Sequence, residues 1–118
     1  MEENLYDTNV LIELYRERKI NISGYTTIFN IIEFPKALEF SGLKVIYPSK
    51  EDFRLALEIS VKLLERGKTI PAIDILVASI AINHRLRLIT ADNHFRIIRE
   101  VEADLNLKIL EDSHKNLL

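Results

Sequence analysis

Apolar residues along the chain alternate between short runs and longer periodic stretches. Leu5-Tyr6 is the first short run. It gives way to Val10, Leu11, Ile12, Leu14 and Tyr15, spaced as on a helix, with Thr8 or Asn9 placed to cap the first turn. Ser23 to Thr26 reads as a short strand. Ile28 to Leu38 reads as a helix that Pro35 kinks or divides, because proline removes a backbone donor. After Gly42, Leu43 to Tyr47 is a strand stopped by Pro48. Ser49 with Asp52 makes a capping-box-like pair that opens the next helix, and Gly67 ends it. Phe53, Ala56, Leu57, Ser60, Val61 and Leu64 share one face there, which predicts an amphipathic helix laid on the core through those residues. From Pro71 to about His84 the pattern is apolar nearly all round, as in a buried central helix. Leu86 to Thr90 is then a strand, Ala91 to Asn93 a turn, Phe95 to about Val101 a helix, and Leu107 to Leu110 a last strand.

Short strands separated by helices pair in parallel. The pattern therefore predicts an α/β fold, a three-layer α/β/α arrangement with a mainly parallel central sheet of four to five strands. No repeat or Gly/Ser linker divides the sequence, so residues 1–118 read as a single domain with a core over about 4–110 and a short polar C-terminal tail. The absence of cysteine excludes disulfides, a thiol nucleophile and thiolate metal sites together. With 16 Lys and Arg against 18 Asp and Glu, the net charge of −2 argues against a protein that coats nucleic acid through bulk positive charge, though not against an enzyme that binds it locally. No apolar run approaches the roughly 20 residues that span a bilayer, and the Met-Glu-Glu-Asn start lacks the basic opening of a signal peptide. The expectation is a cytoplasmic protein.

Open parallel sheets bind ligands beyond the carboxyl ends of their strands, and acids gather where those ends are expected. Asp7 follows the first strand, Asp92 follows the Leu86 to Thr90 strand, Asp74 lies in the first turn of the most apolar helix, and Glu33 follows Ile31-Ile32. No Lys or Arg stands within two residues of Asp7, Glu33 or Asp74. Converging carboxylates without a basic partner repel one another and raise their own pKa values unless a cation intervenes. Carboxylate ligation without Cys or paired His suits a hard divalent ion, Mg²⁺ or Mn²⁺, rather than zinc.

Four blocks carry a family resemblance: Tyr-Asp-Thr-Asn-Val-Leu-Ile (6–12), Thr-Thr-Ile-Phe-Asn-Ile-Ile-Glu-Phe (26–34), Pro-Ala-Ile-Asp-Ile-Leu-Val-Ala-Ser-Ile-Ala (71–81) and Leu-Ile-Thr-Ala-Asp-Asn-His-Phe (88–95). In order and spacing the chain resembles a PIN domain, and in its short length the VapC toxins of type II toxin–antitoxin systems. The resemblance implies a metal-dependent endoribonuclease whose acids are Asp7, Glu33, Asp74 and a fourth in the Thr90 block. Asp7 and Asp74 carry over as direct metal ligands, with Glu33 and Asp92 joining them. Many members have an acid immediately before the Phe. Here that residue is His94, so Asp92 is the candidate, with His94 placed to touch substrate or water. Thr8 or Asn9 is expected to orient a ligating carboxylate. The implied partners are an RNA substrate, an antitoxin segment accepted in the acidic groove, and a second copy of the chain.

Arg16, Arg18, Lys19, Arg85, Arg87, Arg96 and Arg99 are candidates for phosphate contacts at the rim. His84 ends the buried helix, where a cation suits the dipole, and nothing in the sequence builds a histidine-based metal site, a Ser–His–Asp triad or a Gly-rich phosphate loop. Two other readings are a PIN nuclease of RNA processing or ribosome maturation, and an interaction module, either a catalytically degenerate PIN scaffold or a receiver-like Mg²⁺-binding domain. Receiver-like modules typically pair two acids after the first strand and carry a later Lys. Thr8 follows Asp7 instead, and no Lys lies between Lys68 and Lys108.

Overall fold

The computed structural model describes residues 3–110; the polar tail expected at the C-terminus lies outside them. The elements are β1 (Asn4–Tyr6), α1 (Thr8–Arg16), β2 (Asn21–Thr27), α2 (Ile28–Glu33), a 3₁₀ turn (Pro35–Glu39), β3 (Ser41–Ile46), α3 (Lys50–Glu65), α4 (Ala72–Asn83), β4 (Arg87–Thr90), α5 (His94–Val101) and β5 (Leu107–Ile109). The strands form one five-stranded sheet in the order β3-β2-β1-β4-β5, and every pairing is parallel. This is the three-layer α/β/α fold expected from the alternation of short and long segments.

The layers follow from the two-residue period of a strand, which sends successive side chains to opposite faces. Leu5 and Leu88 join the core formed with α3, α4 and α5, whereas Tyr6 and Ile89 join the core formed with α1, α2 and the 3₁₀ turn. Pro35 divides the 28–38 stretch, ending α2 at Glu33 and opening the 3₁₀ turn. Gly67 stops α3 as expected: it takes a φ of 68°, and Lys68 N–H reaches back to the Leu63 carbonyl at 2.9 Å, a Schellman closure.

Two expectations require correction. The cap of α1 is Asp7, not Thr8 or Asn9: Asp7 is the last extended residue, and its carboxylate accepts the Thr8 N–H at 2.9 Å. The second concerns α3. Its core face is Asp52, Ala56, Ile59 and Leu63, while Phe53, Leu57, Val61 and Leu64, expected inside, stay 51%, 67%, 48% and 76% exposed. The apolar arc of this helix is wider than the surface the core offers, and the row holding Ile59 and Leu63 wins the contact with the core.

Central β1 sends its chain to β2 and β3 on one side, and the later segments build β4 and β5 on the other. Connections therefore diverge at the carboxyl ends of β1 and β4, the switch point where such sheets leave a crevice. Returning helices run against the strands, so the last turns of α1 and α4 lie at the opposite, amino edge. No helix among the described residues is long and apolar enough to cross a membrane.

Candidate active site

Asp7 leaves the carboxyl end of β1 with its N–H bonded to the Ile89 carbonyl at 3.0 Å, so the sheet itself sets where its side chain begins. The carboxylate is 7% exposed and is held by donors from three directions. Thr8 N–H and Asn30 Nδ2 donate to Oδ1 at 2.9 and 3.0 Å. Thr90 Oγ1, at the end of β4, donates to Oδ2 at 2.7 Å. Asn9 Nδ2 lies 3.4 Å from both Asp7 Oδ2 and Thr90 Oγ1, while Asn9 Oδ1 accepts the Ala91 N–H at 3.0 Å. The β1 and β4 ends are thereby tied together through side chains as well as through the sheet.

Across the crevice stand Asp74, Asp92 and His94. Asp74 is carried by the first turn of α4 behind Pro71, which fixes the entry backbone without contributing a side-chain cap. Asp92 follows β4, where its N–H donates to Thr90 Oγ1 at 3.0 Å and its Oδ1 accepts the His94 N–H at 2.8 Å. His94 Nδ1 lies 3.3 Å from Asp74 Oδ2 and 3.4 Å from Asp92 Oδ1. One donor atom from each of these three residues falls within 4.8 Å of the others. Glu33, exposed at the end of α2, accepts a hydrogen bond from Thr8 Oγ1.

The electrostatics follow from this crowding. Burial pushes the Asp7 carboxyl above its usual range; the hydrogen bonds from Thr90 and Thr8 oppose this, and the charges on Asp74 and Glu33 add to it. Burial likewise raises Asp74, with His94 opposing and Asp92 and Glu33 adding. Among the described residues no Lys or Arg forms an ion pair with Asp7, Glu33, Asp74 or Asp92. Oxygen and imidazole donors converging on one point, in surroundings that disfavour their bare negative charge, have the chemistry of a divalent-cation site.

The structure thus brings Asp7, Asp74, Asp92, Thr90 and His94 to one edge, with Glu33 joined through Thr8. His94 faces the same point as the carboxylates, so the donor group is not purely carboxylate. Most of the basic rim candidates lie elsewhere. Arg16 ends α1 with Arg18 and Lys19 just after it, and Arg85 and Arg87 lie between the end of α4 and the start of β4, so all five sit at the amino edge because helices run against their strands. Arg96, in the first turn of α5, is on the acidic side.

Asn30 is a site residue that the sequence reading did not single out. It completes the α2 capping box with Thr27, accepting Thr27 Oγ1 at 2.7 Å and returning the interaction through its own N–H at 3.3 Å. Its amide then donates to both Asp7 Oδ1 and Thr8 Oγ1, at 3.0 and 2.8 Å. The signal was present in Thr27-x-x-Asn30, a cap spacing inside an apolar block, with Glu33 a further three residues on.

A wholly parallel sheet with an acidic crevice at its switch point defines the class, an α/β domain whose acids gather at the carboxyl ends of its strands. The PIN domain family model matches residues 29–101, and the chain belongs to the PIN domain family, a nuclease-type family. Solved structures share the fold. The VapBC2 structure from Rickettsia felis, bound to a promoter DNA fragment, aligns with a TM-score of 0.72 at 18% identity over 91% of this chain and 98% of that one. VapBC-1 from nontypeable Haemophilus influenzae aligns at 0.70 and 19% identity over 92% and 98%. FitAcB from Neisseria gonorrhoeae aligns at 0.68 and 17% identity over 96% and 99%. No curated protein matches the chain.

Proposed function

We propose that this protein is a metal-dependent endoribonuclease and the toxin of a VapBC-type pair, acting as a single domain in the cytoplasm. The observation that carries the reading is Asp7, a carboxylate buried at the switch point and raised in pKa, with the charges of Asp74 and Glu33 adding to the rise and no ion-paired cation among the described residues, beside the converging donors of Asp74, Asp92 and His94. Asp7, Asp74, Asp92 and His94 are the residues that would hold Mg²⁺ or Mn²⁺, with Glu33 at the margin through Thr8. A cation bound there lowers the pKa of its water and neutralises charge on the scissile phosphate.

The chain's own residues do the rest. Thr8 N–H, Asn30 and Thr90 fix both oxygens of Asp7, so the carboxylate need not reorganise when ligand arrives. Thr90 also accepts the Asp92 N–H, so one hydroxyl sets the position of two acids. Arg96 supplies positive charge on the acidic side for the RNA backbone. Attack by water leaves the RNA 2′-hydroxyl without an obligatory role.

The antitoxin partner finds support in a cleft of about 680 Å³ between α1 and the 3₁₀ turn, with Ile12, Tyr15, Ile20 and Phe34 in its lining and Arg16, Arg18 and Lys36 outnumbering Glu39 around it. An apolar lining with basic residues suits a partner segment that carries apolar anchors and acids. None of the four acids lines this cleft, so such a segment reaches the crevice only by extending past α1.

The test is cleavage of a structured RNA by the purified chain, with and without EDTA, beside Asp7→Asn and Asp74→Asn. Metal-dependent cutting lost in both variants is the expected result, and cutting that survives both refutes the assignment. A second reading, a scaffold that binds cation without cutting, draws on His94 standing where an acid is usual. Carboxylate-dependent Mn²⁺ binding with no cleavage of any RNA selects it.

A further inference from the structure

We propose that Tyr47 and Lys50 form a nucleotide subsite beside the acidic crevice, where the tyrosine ring stacks on an unpaired base of the RNA and the ammonium takes a neighbouring phosphate. The inference rests on the nuclease reading and names the part of the substrate that stands next to the cut. Tyr47 is the tyrosine that the fold leaves unused. Of the four, Tyr6 is buried, with Asn4 donating to its hydroxyl at 3.3 Å. Tyr15 packs edge-on against Phe34 and Phe40 and donates to Glu39 at 3.0 Å. Tyr25 lies under the Lys44 ammonium. Tyr47 is 68% exposed, and its ring and hydroxyl have no partner among the described residues.

An exposed ring by itself means little; its place in the sheet gives it meaning. Leu5 pairs with Tyr25, and Thr27 pairs with Ile46, so Asp7 shares its row across the sheet with Thr27 and Ile46. Two strand spacings, roughly 10 Å, separate the backbones of Asp7 and Ile46. Tyr47 is the next residue, just past the carboxyl end of β3, on the edge where the acids gather. Pro48 confines the Tyr47 backbone to the extended region, and Ser49 caps α3 immediately afterwards, so the ring is presented from a fixed base. The neighbouring charge chooses the occupant. Lys50 opens α3, where the helix dipole disfavours a cation. Glu51 is engaged by Arg54 at 2.7 Å, and Asp52 by Ser49 and Asn83, which leaves Lys50 without an ion pair among the described residues. An uncommitted ring beside an uncompensated cation matches a base and its phosphate, the two contacts by which proteins hold single strands. Inside a duplex both faces of a base are covered by its neighbours, so the RNA is unpaired at this position. Stacking also supplies affinity that the acids of the crevice do not oppose, whereas they repel the phosphates.

The experiment uses single-stranded RNAs that carry 2-aminopurine at one position each, bound to the full chain in EDTA so that fluorescence reports stacking without cleavage. The cut is mapped on the same RNAs in Mn²⁺. A position within a few nucleotides of the cut is expected to change in fluorescence with the wild type and with Tyr47→Phe, and not with Tyr47→Ala. Tyr47→Ala should keep the wild-type melting temperature, raise KM about tenfold or more and change kcat by no more than a few-fold. Lys50→Gln should lower the slope of log affinity against log salt by about 0.7 for every RNA sequence. Fluorescence and KM unchanged in Tyr47→Ala, a loss in Tyr47→Phe equal to that in Tyr47→Ala, or a matching duplex bound as tightly as the single strand overturns the proposal. So does a Tyr47→Ala chain that keeps its RNA affinity but loses binding to a protein partner, which assigns the ring to that partner. The nuclease reading fails separately: with no RNA cut by the wild type, a fluorescence change that depends on Tyr47 still upholds the subsite as a binding site.

Discussion

Asp7 and Asp52 are both aspartates buried at the start of a helix, and both accept a hydrogen bond from an asparagine. Asp52 is fully buried, and its donors close around it: Ser49 N–H and Oγ reach Oδ2 at 2.8 and 3.1 Å, and Asn83 Nδ2 reaches Oδ1 at 2.8 Å. They tie the start of α3 to the end of α4. Asp7 is held just as well on one side but opens on the other to Asp74 and Glu33, whose charges raise it further. The same local device, a carboxylate capping a helix, is thus a closed fastener in one place and, in the other, open to the acids of the proposed cation site. What separates them is not burial but whether the remaining neighbours are donors or other acids.

Substitution at Asp7 gives the largest contrast. Asp7→Asn keeps a helix-capping side chain but removes the charge, and is expected to cut RNA cleavage by about 10³-fold or more, the scale of losing several kcal/mol of charge stabilisation. Its effect on stability has the opposite sign. Asp7 and Asp74 have folded-state pKa values above the 3.8 of the free group. Between 3.8 and the folded value the native chain holds more protons than the unfolded one, so stability is highest below that window and falls as pH rises through it. In EDTA at neutral pH Asp7→Asn should therefore melt above the wild type, with the gap closing as the pH drops to 3.8 and below. Divalent cation should reverse the order, since saturation at a hundredfold excess over Kd adds about 2.7 kcal/mol to whichever chain binds it. A D7N chain that melts lower than wild type in EDTA contradicts the electrostatic account even if cleavage is lost.

Asp52→Ala should do the reverse. It leaves Ser49 N–H and the Asn83 amide without their acceptor, and a lost cap with unsatisfied buried donors costs about 2–4 kcal/mol. Cleavage per folded molecule should stay within a few-fold of wild type below the melting temperature. A large loss of turnover with unchanged melting would erase the distinction between the two aspartates.

Asn30→Ala tests how far the support of Asp7 matters. It removes one donor from Oδ1 and the return half of the α2 capping box. Loss of an outer partner to a ligating group costs on the order of 10–100-fold in metal affinity or activity. Calorimetric titration with Mn²⁺ separates this positioning role from a purely structural one, because Thr27→Ala damages the same cap without touching Asp7. Equal loss of Mn²⁺ affinity in both variants would reduce Asn30 to a cap.

How much of this was legible beforehand follows from the kind of interaction that carries each feature. Strands, helices and their order are written in local periodicity, and the acids at the carboxyl edge follow once parallel order is assumed. The α1 cap was misplaced by a residue because Asp, Thr and Asn all cap well, and only the end of β1 decides among them. The core face of α3 was misread because its apolar arc includes both the Ile59 row and the Leu57 row, and a single-chain pattern cannot say which row meets the core and which stays exposed. Asn30 escaped notice because its partner Asp7 is distant in sequence. The basic residues were misplaced for a directional reason: Arg85 and Arg87 are near Asp92 in sequence, but lie at the other end of the strand.

The smallest expected effect concerns His94, and it refines what kind of cation the open side of Asp7 faces. His94 Nδ1 is nearly equidistant from Asp74 and Asp92, so the imidazole stands where a third carboxylate would otherwise add negative charge. A nitrogen donor is less suited to Mg²⁺, which takes oxygen ligands and keeps its waters, than to a transition metal such as Mn²⁺. His94→Asp should therefore shift the ratio of Mg²⁺-supported to Mn²⁺-supported cleavage towards Mg²⁺ by a few-fold. His94→Ala should lower Mn²⁺ affinity while leaving Mg²⁺ affinity nearly unchanged. His94→Asp should also lower stability in EDTA, because a further carboxylate enters beside Asp74, which burial and then the charges of Asp92 and Glu33 already raise, and the opposing imidazole is lost. If Asp and Ala at this position give the same metal preference as His, the imidazole is a spectator, and Asp92 with Asp74 and Asp7 carries the selection by carboxylate alone.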